Sequence, residues 1–387
     1  MINSSRPAPL LVGVMSGTSV DAIDVAIIQI NSDGRPELKH FREYPIPREL
    51  REPILRLAEP GFDEIDALGS LDRALGEAIA DAVLDTLKDA EISPAKITGI
   101  GSHGQTVRHR PHGRLAFTLQ IGCPATIAEK TGITTVSDFR RRDMAAGGEG
   151  APLAPFAHRL MFGNAEHAVA VLNIGGIANV SFLPPEGDVT GFDTGPGNMI
   201  MDSLMLHLSD GRHCYDRDGL MAASGAVCQP LLTELLEHAF FARRPPKSTG
   251  REDFGQDVTN KILGWPNSGD ADRLATAAKL TAQTIANSCS FLPEAPKAWY
   301  VCGGGASNPH LMQRLSELLA PATVQSTEAL GMPPAAVEAV CFALLGWHTL
   351  FGTANTLPEV TGARHAVCGG HITPGDNWAD LLKDLNA

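Results

Sequence analysis

The chain has 387 residues, of which 43% are hydrophobic and 19% are charged, and its formal net charge is −13. This length allows two domains with separate cores, and the charge argues against binding nucleic acid or an acidic membrane surface. Seven cysteines occur without a Cys-x-x-Cys pair, which favours reduced thiols in the cytoplasm. No signal peptide is evident, and the apolar stretch 168–183 is too polar for a membrane span.

The first half of the chain alternates predicted strands and helices. Apolar runs predict strands at Leu10–Val14, Val25–Ile30, Leu38–Tyr44, Ile97–Ser102, Leu115–Ile121 and Thr134–Val136. Apolar residues at helical spacing predict an amphipathic helix from Leu71 to Leu87. The run from Asp138 to Pro155 is rich in arginine, glycine and small residues. We interpret this run as a functional loop that leads into the second half.

The second half begins with a strand at Ala168–Ile174, a glycine turn and a return strand at Val180–Leu183. Periodicity and end signals predict helices at Met199–Leu208, Gln229–Phe241, Ala271–Phe291, His310–Leu319, Pro334–Leu350 and Trp378–Leu385. Residues 242–256 contain two prolines and two glycines and are interpreted as an irregular insertion. The strand–turn–strand layout here repeats the one at the start of the chain, which indicates two related halves.

The turn between the first two strands is the most informative segment. Glycine lets backbone N–H groups approach a ligand closely, hydroxyls bind phosphate oxygens, and a carboxylate can hold hydrated Mg²⁺. We therefore predict phosphate contacts at Thr18 and Ser19 and a Mg²⁺ contact through water at Asp21, and we interpret Asp24 as bracing the hairpin. An ordinary connecting turn explains this segment equally well when it is taken alone.

Two further glycine turns favour the nucleotide interpretation. Gly175 and Gly176 follow an apolar strand, and Gly303–Gly305 follow another one, with Asn308 and Pro309 predicted to begin the next helix. The pattern predicts a nucleotide held between two halves, with the triple glycine near the adenosine or the α-phosphate. Neither the Rossmann fingerprint nor the Walker A pattern occurs.

A set of motifs in chain order identifies a family. These motifs are Met15–Ser19, Gly101–Thr106, Asp138–Arg140, Ala145–Gly148, Gly150–Leu153, Asn173–Asn179, Phe192–Asn198, Lys247–Glu252 and Cys302–Gly305. Together they span nearly the whole chain, which resembles the anhydro-N-acetylmuramic acid kinases of the actin/hexokinase/Hsp70-like ATPase superfamily. Two positions depart from the family pattern, since Ala22 replaces a glycine and Glu149 replaces a glutamine.

The resemblance implies an α/β fold with two ribonuclease-H-like domains and a central active-site cleft. It places the first domain at 1–140, joined by the C-terminal segment 371–387, and the second at 141–370. The implied reaction uses ATP and Mg²⁺ to open 1,6-anhydro-N-acetylmuramic acid hydrolytically and to phosphorylate its O6 during peptidoglycan recycling. The family also suggests a homodimer. The alternatives are another sugar kinase or phosphohydrolase of this superfamily, or an actin- or Hsp70-like binding module.

Asp193 and Glu338 are the predicted catalytic residues. A carboxylate at Asp193, which we place at the mouth of a strand, can act as a general base on a nearby water, although an aspartate that bonds its own turn is the ordinary alternative. Glu338 is either a charge favoured by a helix N-terminus or a site group with a raised pKa. The resemblance implies that Asp193 is the base and Glu338 an active-site glutamate.

The remaining predicted site residues bind the sugar or the nucleotide. The predicted sugar-binding residues are His103, Gln105, Asp138 and Arg140. His103 and Gln105 follow a strand, and Arg140 suits the lactyl carboxylate of a muramic acid. An ion pair within the run 140–143 is an equally good alternative for the arginine. The predicted nucleotide-binding residues are Gly17, Thr18, Ser19, Val20, Asp21, Ala22, Ile23, Asp24, Gly175, Gly176, Asn179, Gly195, Gly303, Gly304 and Gly305.

Overall fold

The computed structural model describes residues 8–17, 19–61 and 64–385. The chain divides into two compact units, and unit 1 contains Met1–Met161 and Ala336–Ala387, while unit 2 contains Phe162–Ala335. The sequence predicts these divisions at 140/141 and 370/371 instead. The first boundary thus lies later than predicted, and the second lies earlier. The second boundary differs because a long apolar helix that begins at Val337 packs on the sheet of unit 1.

The described residues form strands and helices in alternation. The strands are β1 Leu10–Met15, β2 Ala22–Ile30, β3 Pro36–Pro45, β4 Ile97–Ser102, β5 Gln105–Arg110, β6 Phe117–Ile121, β7 Thr135–Ser137, β8 Val169–Ile174, β9 Ile177–Leu183, β10 Thr190–Pro196, β11 Ala298–Cys302, β12 Thr323–Ser326 and β13 His371–Thr373. The helices are α1 Arg48–Ala58, α2 Glu64–Asp89, α3 Pro124–Thr131, α4 Arg141–Ala145, α5 Ala154–Phe162, α6 Met199–Leu208, α7 Leu220–Ser224, α8 Gln229–Leu236, α9 Ala239–Ala242, α10 Arg251–Phe254, α11 Gln256–Leu263, α12 Asp270–Ser288, α13 Pro309–Leu318, α14 Val337–Leu350, α15 Pro358–Thr361 and α16 Trp378–Leu385. Short 3₁₀ helices lie at Pro94–Lys96, Arg217–Gly219, Cys289–Phe291, Gly304–Ser307, Thr327–Leu330 and Pro334–Ala336.

Unit 1 is built on a mixed sheet in the order β13-β7-β4-β1-β2-β3. The strand β2 runs antiparallel to β1 and β3, whereas β4 and β7 continue parallel to β1. Val12 and Val14 belong to the same apolar core as Leu75 and Ile79 of α2. Because successive residues of a strand face opposite sides of a sheet, Gly13 must face away from α2.

The opposite face of this sheet is covered by α14. A Cβ atom at Gly13 would overlap the carbonyl oxygen of Ala339, and one at Gly101 would overlap the carbonyl oxygen of Phe342. These two glycines are paired across β1 and β4. Their missing side chains let the helix backbone approach the strands directly, and this approach fixes where the N-terminal turn of α14 lies.

Unit 2 repeats the same topology. Its sheet has the order β10-β9-β8-β11-β12, with β9 antiparallel to β8 and β10, and with β11 and β12 parallel to β8. Counted within each sheet, both therefore run 3-2-1-4-5; unit 1 adds β13 at the edge of its sheet, and its β5 and β6 form a separate two-stranded sheet. This shared arrangement confirms the predicted pair of ribonuclease-H-like α/β domains. The core of unit 2 is apolar and includes Phe192, Phe240 and Trp299.

Several predicted elements need correction. The single helix expected at Gln229–Phe241 is divided into α8 and α9, because the His238 side chain accepts a hydrogen bond from the Phe240 N–H (3.3 Å) and caps a new turn. The expected loop Asp138–Pro155 contains α4 and the start of α5, and the insertion 242–256 contains α10. The sequence also did not predict α1, α3, α7, α11, β5 and β12.

Within the described ranges, no single helix has the length and apolar character needed to cross a membrane. One bent pair, Arg217–Ser224 with Gln229–Leu236, meets the criterion by length and composition alone. The apolar side chains Ala222, Leu231 and Leu235 of that pair belong to the core of unit 2.

Candidate active site

The turn between β1 and β2 is tight, and among its described residues Ser16 and Val20 are buried while Ser19 and Asp21 are exposed. The Val20 N–H donates to the Gly17 carbonyl oxygen (3.1 Å), and Val20 has a φ of +52°. The Ser19 hydroxyl donates to Oδ1 of Asp21 (2.6 Å). Nothing described lies nearer than 3.9 Å to a Cβ built on Gly17, so packing within these residues does not require a glycine there. Thr18 lies outside the described residues.

Asp24 lies beside this turn, in β2 and opposite Met15. Its Oδ1 atom is buried and accepts no hydrogen bond from the described residues. Burial raises the pKa of Asp24 to about 8, and the charges of Glu43, Glu338 and Asp21 add to the effect. The predicted metal residue, Asp21, and the predicted catalytic residue, Glu338, are therefore close enough to Asp24 to affect its ionisation.

Glu338 lies in the first turn of α14. Burial raises its pKa, and the positive charge of Arg140 opposes that rise. The sequence left two interpretations open for this glutamate. The raised pKa and the neighbouring carboxylates favour a site group over a solvated charge at a helix N-terminus.

Arg140 and His103 form one hydrogen-bonded unit. The Nε and Nη2 atoms of Arg140 lie 3.1 and 3.0 Å from Nε2 of His103, and Nη1 donates to the Gly150 carbonyl oxygen (2.9 Å). The Nδ1 atom of His103 is 2.9 Å from the Gly104 carbonyl oxygen, which assigns the proton to Nδ1 and leaves Nε2 as an acceptor. Burial, followed by the Arg140 charge, lowers the pKa of His103, so this histidine is neutral.

The alternative ion pair for Arg140 is not formed as a direct bond with Asp143. That buried carboxylate accepts hydrogen bonds from the Gly150 N–H (2.8 Å) and from the Thr361 hydroxyl (2.7 Å) instead. Burial lowers the pKa of Arg140 to about 10, while Glu338 and Asp143 favour its charged form. Arg140 is thus a cation that hydrogen bonds fix near the carboxylates of Glu338 and Asp143, and it is not an exposed arginine.

Gln105 and Asp138, the other residues of unit 1 that are expected to bind sugar, make contacts with different parts of the unit. The Ser16 hydroxyl donates to Oε1 of Gln105 (2.7 Å), which joins the first turn to the start of β5. Asp138 has a φ of +55°, and its carboxylate pairs with Arg141 (2.7 Å) and His371 (3.2 Å). The structure therefore connects Gln105 to the turn between β1 and β2, while Asp138 belongs to a separate ion-pair cluster.

Two glycine turns meet at the carboxyl ends of β8 and β11, which are parallel neighbours in unit 2. The Asn198 N–H donates to the Gly175 carbonyl oxygen (2.8 Å), and the Gly197 N–H donates to that of Gly176 (2.9 Å). Gly303 has a φ of +74°, and a Cβ atom there would overlap Oδ1 of Asn173. The Asn308 side chain accepts from the Leu311 N–H (3.0 Å), which confirms its predicted role as the N-cap of α13.

Asp193 lies inside β10, not at the mouth of a strand as expected, because it pairs with Asn179 of β9. Its Oδ2 atom accepts a hydrogen bond from the Thr249 N–H (2.9 Å), and its own N–H donates to the Lys247 carbonyl oxygen (3.1 Å). Asn179 also pairs with Asn173. Residues that pair directly share a face, so these three side chains form a polar row across the sheet.

Sequence reasoning gave no role to Lys247 and Thr249, although both lie in a motif shared with the family. Their contacts with Asp193 bridge more than fifty residues of sequence, and no local periodicity reports such a pairing. Gly195 follows a shift in the register of β9 and β10 and has a φ of +146°, with a Cβ position 2.8 Å from the Phe241 ring. Packing against the Phe241 ring therefore explains why position 195 is a glycine.

The two repeated sheets and their glycine turns define a two-domain α/β protein of the actin-like ATPase type. A family model described as anhydro-N-acetylmuramic acid kinase matches residues 9–375. The chain belongs to the anhydro-N-acetylmuramic acid kinase family.

Similar proteins bear the same description. A protein of Shewanella pealeana is 46% identical over 368 residues, which cover 94% of this chain and 98% of the relative. One from Idiomarina loihiensis is 44% identical over 359 residues (93% and 97%). A third, from Coxiella burnetii, is 44% identical over 378 residues (96% and 99%). Each is named anhydro-N-acetylmuramic acid kinase.

Proposed function

We propose that this chain is an ATP-dependent kinase that opens 1,6-anhydro-N-acetylmuramic acid with water and phosphorylates its O6. The products are N-acetylmuramic acid 6-phosphate and ADP, in the recycling of peptidoglycan. Family membership over residues 9–375 supports the activity. The observation that carries the mechanism is the held carboxylate of Asp193, whose Oδ2 atom accepts the Thr249 N–H at 2.9 Å.

Asp193 is the proposed general base. A backbone N–H that binds a carboxylate fixes its orientation, and an ionised carboxylate can accept a proton from water. The activated water attacks the anomeric carbon, the C1–O6 bond breaks, and the freed O6 accepts the γ-phosphoryl group of ATP. The proton removed from water stays on Asp193 until the product leaves. Asn179 and Asn173, in the same polar row, are suited to hydrogen bonds with sugar hydroxyls.

In unit 1, we assign Ser16 and Gln105 to holding the phosphate turn, and Arg140 with His103 to binding the anionic sugar. His103 fixes the guanidinium plane, and a fixed plane suits bidentate contact with a carboxylate. Glu338 stands at the N-terminus of α14, where it balances the Arg140 charge. The Gly17 turn is suited to nucleotide phosphates, and the glycine turns of unit 2 have the same suitability because close backbone N–H groups can bind phosphate oxygens.

We assign Mg²⁺ to the carboxylates at the end of β1 and β2. The residues fit a cation, because the buried Oδ1 of Asp24 accepts no hydrogen bond from the described residues and lies among the charges of Glu43, Glu338 and Asp21. Within the same part of the chain, no three His, Cys, Asp or Glu residues are grouped as direct ligands. Asp21 would therefore hold the ion through water, and the ion would neutralise charge on the nucleotide phosphates.

The test is a mass-spectrometric assay in ¹⁸O-labelled water with ATP and the anhydro-sugar. One ¹⁸O at C1 together with one added phosphate supports the coupled reaction. Phosphate without label, or label without phosphate, contradicts it. ADP release that does not respond to the sugar would indicate a nucleotide-driven binding module instead.

The cytoplasmic location and the homodimer are also proposals. The scattered free cysteines, Cys302 and Cys341 among them, fit a reducing compartment. Light scattering of the purified chain tests the dimer, and a molecular mass near 41 kDa, that of one chain, would contradict it.

A further inference from the structure

Lys247 is a half-buried cation with an unusual setting in unit 2. Its Nζ atom lies 4.6 Å from the ring centroids of Phe240 and Phe291 and 5.8 Å from that of Phe192. Within the part of the chain that the structure describes, its ammonium forms no ion pair at 4.0 Å or less. Three aromatic rings therefore hold the ammonium by cation–π contacts, and these contacts fix its position without neutralising its charge.

The same residue is joined to the proposed base through the backbone. The Lys247 carbonyl oxygen accepts the Asp193 N–H (3.1 Å), and Phe192 of the aromatic cage is the direct neighbour of Asp193 in β10. The backbone hydrogen bond and the ring contacts thus limit where the ammonium lies relative to Asp193. The attraction between Lys247 and Asp193 opposes the effect of burial, which lowers the pKa of Lys247 to about 8.

Resting on the proposed function, we infer that Lys247 is a positioning residue for the reaction, a fixed counter-charge that favours the ionised form of Asp193. A base must be ionised before it can accept a proton from water, and a positive charge nearby stabilises that form. The rings cover part of the ammonium, and this partial cover reduces the screening of its charge by water.

Other charged groups surround the pair and are kept constant in the test. Arg243 lies with its guanidinium carbon 5.7 Å from the Phe240 centroid, and its charge also lowers the pKa of Lys247. Asp253 accepts the Thr249 hydroxyl (2.7 Å) beside the N–H that binds Asp193. Neither group is altered by a substitution at Lys247, so a change in the pH profile reports the loss of the ammonium.

The experiment compares kcat/KM for the anhydro-sugar from pH 4.5 to 9 in wild type, Lys247→Met and Lys247→Arg. The matched control is Lys261→Met, since Lys261 is a lysine of the same unit that pairs with Glu234 on the surface (2.6 Å). We expect the acidic limb of Lys247→Met to move to higher pH by about one unit. Lys247→Arg and the control should keep the wild-type limb, and ATP affinity should stay unchanged in all four proteins.

An acidic limb that does not move in Lys247→Met overturns the inference, even if that variant is slower at every pH. Thermal unfolding verifies that each variant is folded, and Lys247→Gln provides a second neutral side chain if the methionine variant does not fold. Failure of the proposed function is distinguishable, because it appears as a wild type that does not phosphorylate the anhydro-sugar. In that case the same pH comparison uses whichever sugar the wild type phosphorylates.

Discussion

Replacing Asp24 by asparagine should stabilise the protein by an amount that grows with pH. Burial, and then the charges of Glu43, Glu338 and Asp21, raises the pKa of Asp24 from its ordinary value of 3.8 to about 8. Between these two values the folded protein retains a proton that the unfolded chain has released. The free energy of unfolding therefore falls as pH rises through this window, and below it both states are protonated and the penalty is absent.

The magnitude follows from the width of the window. One pKa unit corresponds to about 1.4 kcal/mol, so the penalty is about 4 kcal/mol at pH 7 and about 1.5 kcal/mol at pH 5. Asparagine has the same shape and no charge at any pH, so it removes this penalty. Because Oδ1 of Asp24 accepts no hydrogen bond from the described residues, the substitution breaks no bond at that atom.

Urea unfolding of wild type and Asp24→Asn at pH 5, 6 and 7, without nucleotide or Mg²⁺, measures the effect. The control is Asp81→Asn, because Asp81 is an exposed aspartate that pairs with Lys130 (2.7 Å) in the same unit. We expect the advantage of Asp24→Asn to increase by about 1.4 kcal/mol for each pH unit, and the control to show no such trend. An advantage that is equal at pH 5 and pH 7 would refute the reasoning.

Three other substitutions test separate parts of the argument. Asp193→Asn should lower kcat by a factor of at least about 100 while nucleotide affinity, measured by calorimetry, stays near wild type; equal loss of both would mean a structural role. Gly17→Val should weaken ATP binding because the valine side chain would occupy the space that we assign to the phosphates, and unchanged affinity would contradict that assignment. Gly101→Ala should cost about 3 kcal/mol of stability, because its Cβ would overlap the Phe342 carbonyl oxygen. The control Gly69→Ala, in α2 with nothing within 4 Å, should stabilise by about 0.5–1 kcal/mol, and denaturation that ranks the two glycines alike would disprove the packing argument.

Elements with a strong local pattern could be predicted from the sequence. The apolar runs gave the bounds of β4 and α6 as the structure has them, and α16 was also placed correctly. The repeated hairpins correctly indicated two related halves, because each apolar strand lies at the centre of its sheet. In contrast, β5 is rich in arginine and polar residues, and only its pairing with β6 makes it a strand.

The sequence named candidate site residues and could not show their connections. Asp193 and Arg140 lie in motifs that carry the family resemblance, and the resemblance implies Glu338; the roles of all three stay predictions. Their partners are distant in sequence, so the sequence could not show that His103 orients Arg140 or that Thr249 holds Asp193. The position of Glu338 depends on two glycines in β1 and β4, whose purpose is visible only when α14 is packed against them.

The two units share one sheet topology, but their equivalent hairpins, β1–β2 in unit 1 and β8–β9 in unit 2, carry different side chains. In unit 1, Asp21 lies in the turn and Glu43 lies near Asp24, and their negative charges, which help to raise the pKa of Asp24, suit a cation. In unit 2 the corresponding strands carry Asn173 and Asn179, paired across β8 and β9. Neutral amides can donate hydrogen bonds to oxygen-rich groups without repelling them. The duplication therefore explains the shared fold. The difference between carboxylates in unit 1 and amides in unit 2 explains why we propose different roles for the two hairpins.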